Sequence, residues 1–193
     1  MGKREKTLFL DIDEVFTTSG KPDERKTVDS AVERLVKARE VGYTRFAFIT
    51  ARSGNWVLRE FVPHLEKHSL LRNSTIHCEN GLYEIVNGKF SLLPEAQEFL
   101  KVRERVTKAI LQEARKQKVG AIDAAQKMEK FVQARVEPKR MEDMEKLGKT
   151  CSEVIGKLAK QGKIPKTVGI DATKSGINIF PRNITKGTTA RAI

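Results

Sequence analysis

The sequence has few of the residues that stabilise extracellular proteins or anchor membrane proteins. Its 193 residues include two cysteines, Cys78 and Cys151, which lack metal-ligand spacing and do not suggest a disulfide framework. No apolar run approaches the ~20 residues that cross a bilayer. The apolar part that follows the charged N-terminus is too short for a signal sequence. We therefore expect a protein of the reducing cytoplasm that does not enter a membrane.

Aromatic residues are also scarce, at 6% of the chain, whereas positive charge is abundant. The net charge of +12 favours an anionic partner, and +9 of it lies between residues 101 and 166. We do not expect nucleic acid as the main partner, because the sequence shows no zinc finger, no basic-region zipper and too few aromatics for base stacking. A solvated basic face, or steering of phosphorylated substrates, fits this charge better.

What the sequence does have is an apolar run that ends in two carboxylates. Residues 8–10 read Leu-Phe-Leu and predict a strand buried on both faces of a parallel sheet. Asp11 and Asp13 follow at a spacing of two, which lets both side chains face one ligand beyond the strand. A hard cation such as Mg²⁺ would relieve their repulsion. An Asp-rich turn without function is the alternative reading.

A second polar signal follows the next predicted strand. A helix over about residues 29–41 and an apolar strand over residues 46–49 complete a βαβ unit, whose strands are parallel. Thr50 then lies at the carboxyl end of this strand, where its hydroxyl and nearby N–H groups can hold a phosphate oxygen. The alternative is that Thr50 caps the helix predicted over residues 53–64. Arg52 is a candidate at the entrance of the site, although a surface salt bridge explains it equally well.

The sequence changes character after a third short strand over residues 74–78. Asn87-Gly88 predicts a hairpin, and two long amphipathic helices and further strands follow up to residue 180. We therefore expect an α/β core of residues 1–81 and 181–193, interrupted by an α+β unit of residues 82–180. Lys186 follows this unit near the start of a helix, where an ammonium group favours an anion. A surface lysine is the alternative.

In combination, these signals resemble the haloacid dehalogenase (HAD) superfamily of phosphotransferases. The first family motif, Asp-x-Asp-x-Thr/Val after a strand, matches Asp11, Asp13 and Val15. The second and third motifs, a Thr or Ser after a strand and a later Lys, match Thr50 and Lys186. The resemblance implies a Rossmann-like core, a parallel sheet with helices on both faces. It covers nearly the whole chain.

The interrupting unit looks like the α/β (type IIB-like) cap of sugar-phosphate phosphatases, phosphomannomutases and Cof-type phosphatases. Asn80, at its border, is a weak substrate or cap candidate. Two features depart from the family pattern. Glu14 stands where the first motif usually has Gly, and the acidic fourth motif, which helps to bind Mg²⁺, is absent. The expectation is that the C-terminal part of the core is missing, so that this chain is truncated, a fragment, or has an incomplete metal site.

The resemblance implies a mechanism for a small phosphorylated substrate. Asp11 attacks phosphorus to form an aspartyl-phosphate, and Asp13 serves as general acid and then as general base. Thr50 and Lys186 orient the phosphoryl oxygens. Mg²⁺ is held by Asp11, Asp13 and the backbone carbonyl of Val15. A phosphomutase or phosphotransferase on the same scaffold, and a catalytically inactive relative, remain as alternatives.

Overall fold

The structure is a computed structural model that describes residues 6–13, 15–17, 24–86 and 89–192, with the backbone alone for residues 24–27. The chain divides into two compact units. Unit 1 comprises Met1–Leu92 and Ile184–Ile193, and unit 2 comprises Leu93–Asn183. Glu14 and the predicted turn at Asn87-Gly88 lie outside the described residues.

Unit 1 contains a five-stranded sheet whose strands follow one another in sequence order. The first three strands are parallel, which confirms the predicted βαβ unit, and the last two form an antiparallel hairpin at one edge. The strands are β1 (Lys6–Asp11), β2 (Tyr43–Ile49), β3 (Ser74–Cys78), β4 (Tyr83–Val86) and β5 (Lys89–Leu92).

The described residues of unit 1 form four α-helices, and three of them differ from the predicted bounds. They are α1 (Glu24–Glu40), α2 (Gly54–Glu60), α3 (Val62–Lys67) and, near the end of the chain, α6 (Lys186–Ala192). The helix predicted over residues 53–64 is divided at Phe61, because Pro63 suits only the first turn of a helix and starts a new one. Ser53, not Thr50, caps α2: its hydroxyl accepts a hydrogen bond from the Trp56 N–H.

An aromatic cluster fills the core on one side of this sheet. Phe48 of β2 packs edge-on against Phe16 and Phe61, with ring centroids 5.7 and 5.0 Å apart. The prediction that β1 is buried on both faces is wrong, since Phe9 is 43% exposed and every residue of β1 is at least partly exposed. The reason is its position, because β1 is the edge strand and pairs only with β2 in the described sheet.

The two histidines four residues apart, His64 and His68, bind a carboxylate. His64 Nδ1 and His68 Nε2 lie 3.1 and 3.3 Å from Asp29 Oδ1 of α1. The Lys67 ammonium lies 2.6 Å from the other oxygen, Oδ2. Together these contacts attach α3 to α1.

Unit 2 is an α+β unit with an antiparallel sheet in the order β6-β7-β9-β8. Its elements are α4 (Pro94–Lys116), β6 (Ala121–Asp123), β7 (Ala134–Pro138), α5 (Met144–Lys160), β8 (Val168–Ala172) and β9 (Ile177–Pro181). Both long helices are as predicted, whereas the three-residue strand β6 has too short a pattern to be recognised. Across the described residues, no helix combines the length and apolar character needed to cross a membrane.

The border between the units differs from the predicted one. The sequence places residues 82–92 in the inserted unit, but β4 pairs with β3, so the hairpin extends the sheet of unit 1. A hairpin signal alone does not reveal which sheet the hairpin joins, and this accounts for the difference. At the other end, unit 2 continues to Asn183.

Candidate active site

Three segments of unit 1 meet at the carboxyl edge of the parallel strands. Asp11 is the last residue of β1, and Thr50 directly follows β2, its parallel neighbour. Ligands of such sheets bind at this edge. Lys186 is the first residue of α6 and reaches the same place from a distant part of the sequence. The structure therefore brings together the four principal residues that the sequence singled out: Asp11, Asp13, Thr50 and Lys186.

The Asp11 carboxylate is paired with the Lys186 ammonium. Lys186 Nζ lies 2.5 Å from Asp11 Oδ2, and the other carboxylate oxygen accepts a hydrogen bond of 3.1 Å from the backbone N–H of Asp13. Both side chains of the ion pair remain more than one third exposed, at 38% and 39%. A ligand therefore has access to both charges.

The Asp13 carboxylate accepts several hydrogen bonds. Its Oδ2 accepts from the Thr50 hydroxyl at 2.9 Å and from the Ala51 N–H at 3.2 Å, while its Oδ1 accepts from Arg52 Nε at 2.8 Å. Lys186 Nζ is 3.9 Å from Oδ2. One carboxylate is thus surrounded by two cations, a hydroxyl and an amide.

These donors determine the charge of Asp13. Burial alone raises the pKa of its carboxyl group, because it disfavours the ionised form. Hydrogen bonds from Arg52 and Thr50, together with the positive charge of Arg52, outweigh burial and hold the pKa below its ordinary value. Asp13 is therefore ionised at neutral pH in the ligand-free protein.

Arg52 is held in place on two further sides. Its Nη2 donates to the Thr17 hydroxyl at 2.9 Å, and its guanidinium carbon lies 3.8 Å from the centre of the Trp56 ring. Such a cation over an aromatic face is attracted by the ring. The sequence left open whether Arg52 faces the site or forms a surface salt bridge. The structure places its salt bridge on Asp13, inside the site.

The loop that carries Thr50 and Arg52 is supported by the turn after β3. The N–H of Asn80 donates to the Thr50 carbonyl at 2.7 Å, and the N–H of Glu79 donates to the Arg52 carbonyl at 3.0 Å. The N–H of Thr50 in turn donates to the carbonyl of His77. These backbone bonds fix the directions in which the donors of residues 50–52 point.

The same turn also contacts α6. Its three residues all have left-handed backbone angles, with φ of 49° at Glu79, 65° at Asn80 and 104° at Gly81. The Thr189 hydroxyl of α6 donates to the Asn80 carbonyl at 3.3 Å and lies so close to Gly81 that a Cβ there would overlap it. Asn80, predicted as a substrate or cap residue, thus joins the β2 loop to α6 through its backbone.

Oxygen donors suitable for a hard cation are present at the site. Mg²⁺ is commonly held by one or two carboxylates with water completing the shell, and Asp11 and Asp13 supply two such groups. The described residues contain no set of three or more His, Cys, Asp or Glu side chains arranged to hold a metal ion. The donor set is therefore a two-carboxylate set, to which the carbonyl of Val15, a residue that is 52% exposed, is predicted to add a third oxygen.

Sequence reasoning missed several residues that shape this site. The Ala51 N–H, Thr17, Trp56 and Thr189 all contact predicted site residues. Trp56 follows Arg52 by four residues, a spacing that places two side chains on one face of a helix. The same spacing fits a Trp that packs in the core, so the sequence does not distinguish the two roles. Thr189 and Thr17 are recognisable only once the sheet has brought distant segments together.

Comparison with known proteins identifies the fold. No protein-family model and no curated protein matches the sequence. Among solved structures, the trehalose-6-phosphate phosphatase of Aspergillus fumigatus aligns with a TM-score of 0.61 and 14% identity over 98% of this chain. A haloacid dehalogenase-like hydrolase of Bacteroides thetaiotaomicron aligns with 0.56 and 16% over 98%. The IMP-nucleotidase of Plasmodium falciparum with bound ATP aligns with 0.58 and 14% over 96%.

This chain spans only part of those proteins, covering 65%, 76% and 48% of their respective lengths. Similarity at these identities shows a common fold. The chain has the α/β fold of the haloacid dehalogenase-like phosphatases.

Proposed function

We propose that this chain is a Mg²⁺-dependent phosphatase that hydrolyses a small phosphorylated metabolite through an aspartyl-phosphate. The observation that carries the proposal is the contact of 2.5 Å between Lys186 Nζ and Asp11 Oδ2. It joins residues that are 175 positions apart and leaves both partly exposed at a ligand-binding edge of the sheet. A structural ion pair in such an exposed position contributes little to stability, so its geometry is better explained by a ligand.

Asp11 is the proposed nucleophile. A carboxylate oxygen of Asp11 forms a bond to phosphorus while the ester bond to the leaving oxygen breaks. A water molecule then attacks phosphorus, releases inorganic phosphate and restores the carboxylate. The exposed position at the end of β1 gives Asp11 access to a substrate.

Asp13 is the proposed general acid and base. It delivers a proton to the leaving oxygen in the first step and accepts a proton from water in the second. The hydrogen bonds from Thr50, Ala51 and Arg52 keep it ionised in the ligand-free protein, which is the form that accepts a proton. To act as an acid in the first step, Asp13 must leave these donors and take up a proton from solvent or from the monoanionic phosphate of the substrate.

Thr50 and Lys186 are the proposed ligands of the phosphoryl group. A hydroxyl and an ammonium held beside the nucleophile orient the phosphoryl oxygens and stabilise the charge that they carry during transfer. Asp11, Asp13 and the Val15 carbonyl would hold Mg²⁺. Bound there, the ion offsets the repulsion between the anionic nucleophile and the anionic phosphoryl group.

The substrate class is proposed from the similar structures and from charge. One of them is described as a trehalose-6-phosphate phosphatase and another as an IMP-nucleotidase. Trehalose 6-phosphate and IMP are both small phosphate monoesters. The net charge of +12 favours anionic substrates. Unit 2, inserted between β5 and α6, has the proposed role of a cap that selects among them.

The test is phosphate release from sugar phosphates, a nucleoside monophosphate and an aryl phosphate, measured with Mg²⁺ and with a chelator. Turnover should require the metal and should disappear in Asp11→Asn. Asp171→Asn, the same change at an exposed position of unit 2, is the matched control and should retain turnover. Undiminished turnover in Asp11→Asn would refute the assignment. Transfer of the phosphoryl group to a second sugar hydroxyl instead of water would identify a phosphotransferase.

A further inference from the structure

Three donors that suit a phosphoryl group converge on the Asp13 carboxylate. The Thr50 hydroxyl and the Ala51 N–H donate to one oxygen, and Arg52 Nε donates to the other at 2.8 Å. A hydroxyl, a backbone amide and a guanidinium are also the groups that bind phosphate in proteins, through charge-assisted hydrogen bonds. We call Thr50, Ala51 and Arg52 the donor cradle.

We infer that Asp13 occupies the phosphoryl-binding position of the donor cradle in the ligand-free protein, and that a substrate binds by displacing it. Asp13 is thus an internal competitor of the substrate as well as a participant in the chemistry. The inference rests on the proposed function only in taking the anion to be the phosphoryl group of a substrate.

The cradle is the fixed partner in this exchange. The carbonyls of Thr50 and Arg52 accept hydrogen bonds from the N–H groups of Asn80 and Glu79, which fix the loop. The Arg52 guanidinium is further held by the Thr17 hydroxyl and by its position over the Trp56 ring. Little reorganisation is therefore needed before these donors bind another anion.

Asp13 is the partner that moves. Its side chain is 30% exposed, and rotation about its own side-chain bonds is sufficient to take the carboxylate away from the cradle. The Lys186 ammonium, 3.9 Å from Asp13 Oδ2, offers an alternative contact close by. The exchange needs no movement of a helix or strand.

Competition of this kind lowers the affinity for phosphate. The apparent dissociation constant equals the intrinsic constant divided by the fraction of molecules in which the cradle is vacant. Removing the Asp13 carboxylate should therefore tighten phosphate binding, although it removes a residue that the proposed reaction needs. A residue that acts only in catalysis would not have this effect.

The experiment is isothermal titration of the full chain with inorganic phosphate, in a chelator-containing buffer. Asp13→Ala should bind phosphate roughly tenfold more tightly than the unchanged protein, or better. Asp13→Asn should give a smaller gain, because its amide oxygen still accepts from the cradle. If the carboxylate acts only by charge repulsion, both variants gain equally, and that result would overturn the inference.

Arg52→Gln supplies a second and independent criterion. In the unchanged protein Arg52 donates to Asp13 before binding and to phosphate after it, so its loss weakens both contacts and phosphate affinity should change little. In the Asp13→Ala background Arg52 binds the anion, so its loss should weaken binding by roughly tenfold or more. Additive effects of the two changes would contradict displacement. Arg59→Gln, at an exposed arginine of α2, is the matched control and should have no effect in either background.

The outcomes separate this inference from the proposed function. Tighter phosphate binding in Asp13→Ala supports displacement even if no phosphatase activity is found. Metal-dependent turnover of the unchanged protein, without any gain of phosphate affinity in Asp13→Ala, would refute the inference and leave the proposed function intact. Circular dichroism of each variant verifies that the titrated protein is folded.

Discussion

Two arginines, one in each unit, each donate hydrogen bonds to a carboxylate and to a hydroxyl, but they differ in how far they are buried. Arg135 in unit 2 has a side chain only 5% exposed, and it donates to Glu137, Asn178 and Ser175 at 2.8–2.9 Å. These acceptors lie on β7, on β9 and on the turn between β8 and β9. Arg52 in unit 1 is 20% exposed and donates to Asp13 and Thr17.

The difference lies in what surrounds each network. Arg135 joins two strands and a turn of one sheet, and Arg135 and Asn178 are both buried while Glu137 is 15% exposed, so the network stabilises the fold of unit 2. Arg52 and Asp13 lie at an open strand edge beside the exposed pair of Asp11 and Lys186. A buried charge that loses its partner is costly, whereas an exposed charge can exchange one partner for another. The Arg135 network is therefore suited to stabilising the fold, and the Arg52–Asp13 pair is suited to binding a ligand.

The largest expected effect concerns Lys186. Lys186→Met should lower phosphate release by about 10²-fold or more, because the proposed function assigns this cation to the phosphoryl group. The unfolding free energy should change by less than ~1 kcal/mol, since the ion pair is exposed. Lys160→Met on α5 is the control and should retain turnover. Near-normal turnover of Lys186→Met would remove Lys186 from the site.

The comparison of the two arginines is tested directly by stability. Arg135→Met should lower the free energy of unfolding by about 3 kcal/mol or more, because Glu137 and Asn178 lose their buried partner. Arg52→Met should lower it by less than ~1 kcal/mol. Urea denaturation followed by circular dichroism measures both. Equal losses in the two variants would mean that Arg52 is as structural as Arg135.

Substitution of Gly81 should have an intermediate effect on the free energy of unfolding. Gly81→Ala combines a left-handed backbone angle with an overlap on Thr189, and should cost roughly 1–3 kcal/mol. Gly162→Ala is the matched control, with φ of 67° and open space around its Cβ, and should cost about 1 kcal/mol. Thr189→Ala should recover part of the loss at Gly81. If it recovers none, backbone strain alone accounts for the cost.

The smallest expected effect is on the pH dependence of stability, through His77. Burial lowers the pKa of His77 more than the nearby Glu84 carboxylate raises it, and its Nε2 lacks a partner among the described residues. Below about pH 6.5 the unfolded chain therefore binds a proton that the folded chain resists, and stability falls as pH decreases. The slope contributed is at most about 1.4 kcal/mol per pH unit. His77→Phe should show a shallower loss of stability between pH 7 and pH 5.

Much of this site was predictable from sequence because its signals are local. An apolar run followed by Asp11 and Asp13, and a second run followed by Thr50, each indicate a strand end, and parallel pairing brings strand ends together. Lys186 was predicted by its place in the order of motifs. The roles of these residues in catalysis remain predictions.

The rest depends on contacts between distant segments. The burial of β1 was overestimated because a strand's apolar residues do not reveal that it lies at a sheet edge. The border of unit 2 was misplaced because β4 and β5 carry no signal for the sheet they join. The salt bridge of Arg52 to Asp13 connects residues 39 positions apart, and neither residue type specifies its partner.

The pairing of Asp11 with Lys186 has a consequence for biosynthesis. The chain leaves unit 1 after β5 and returns to it only at α6, so 175 residues separate the two charges. At translation rates of about 5–20 residues per second, roughly 10–35 seconds pass between their synthesis. Strands β1 to β3 pair over short sequence distances and have time to form earlier. On the ribosome, the two aspartates of the candidate site are therefore made well before its lysine, and the ion pair of Asp11 and Lys186 forms only after α6 emerges.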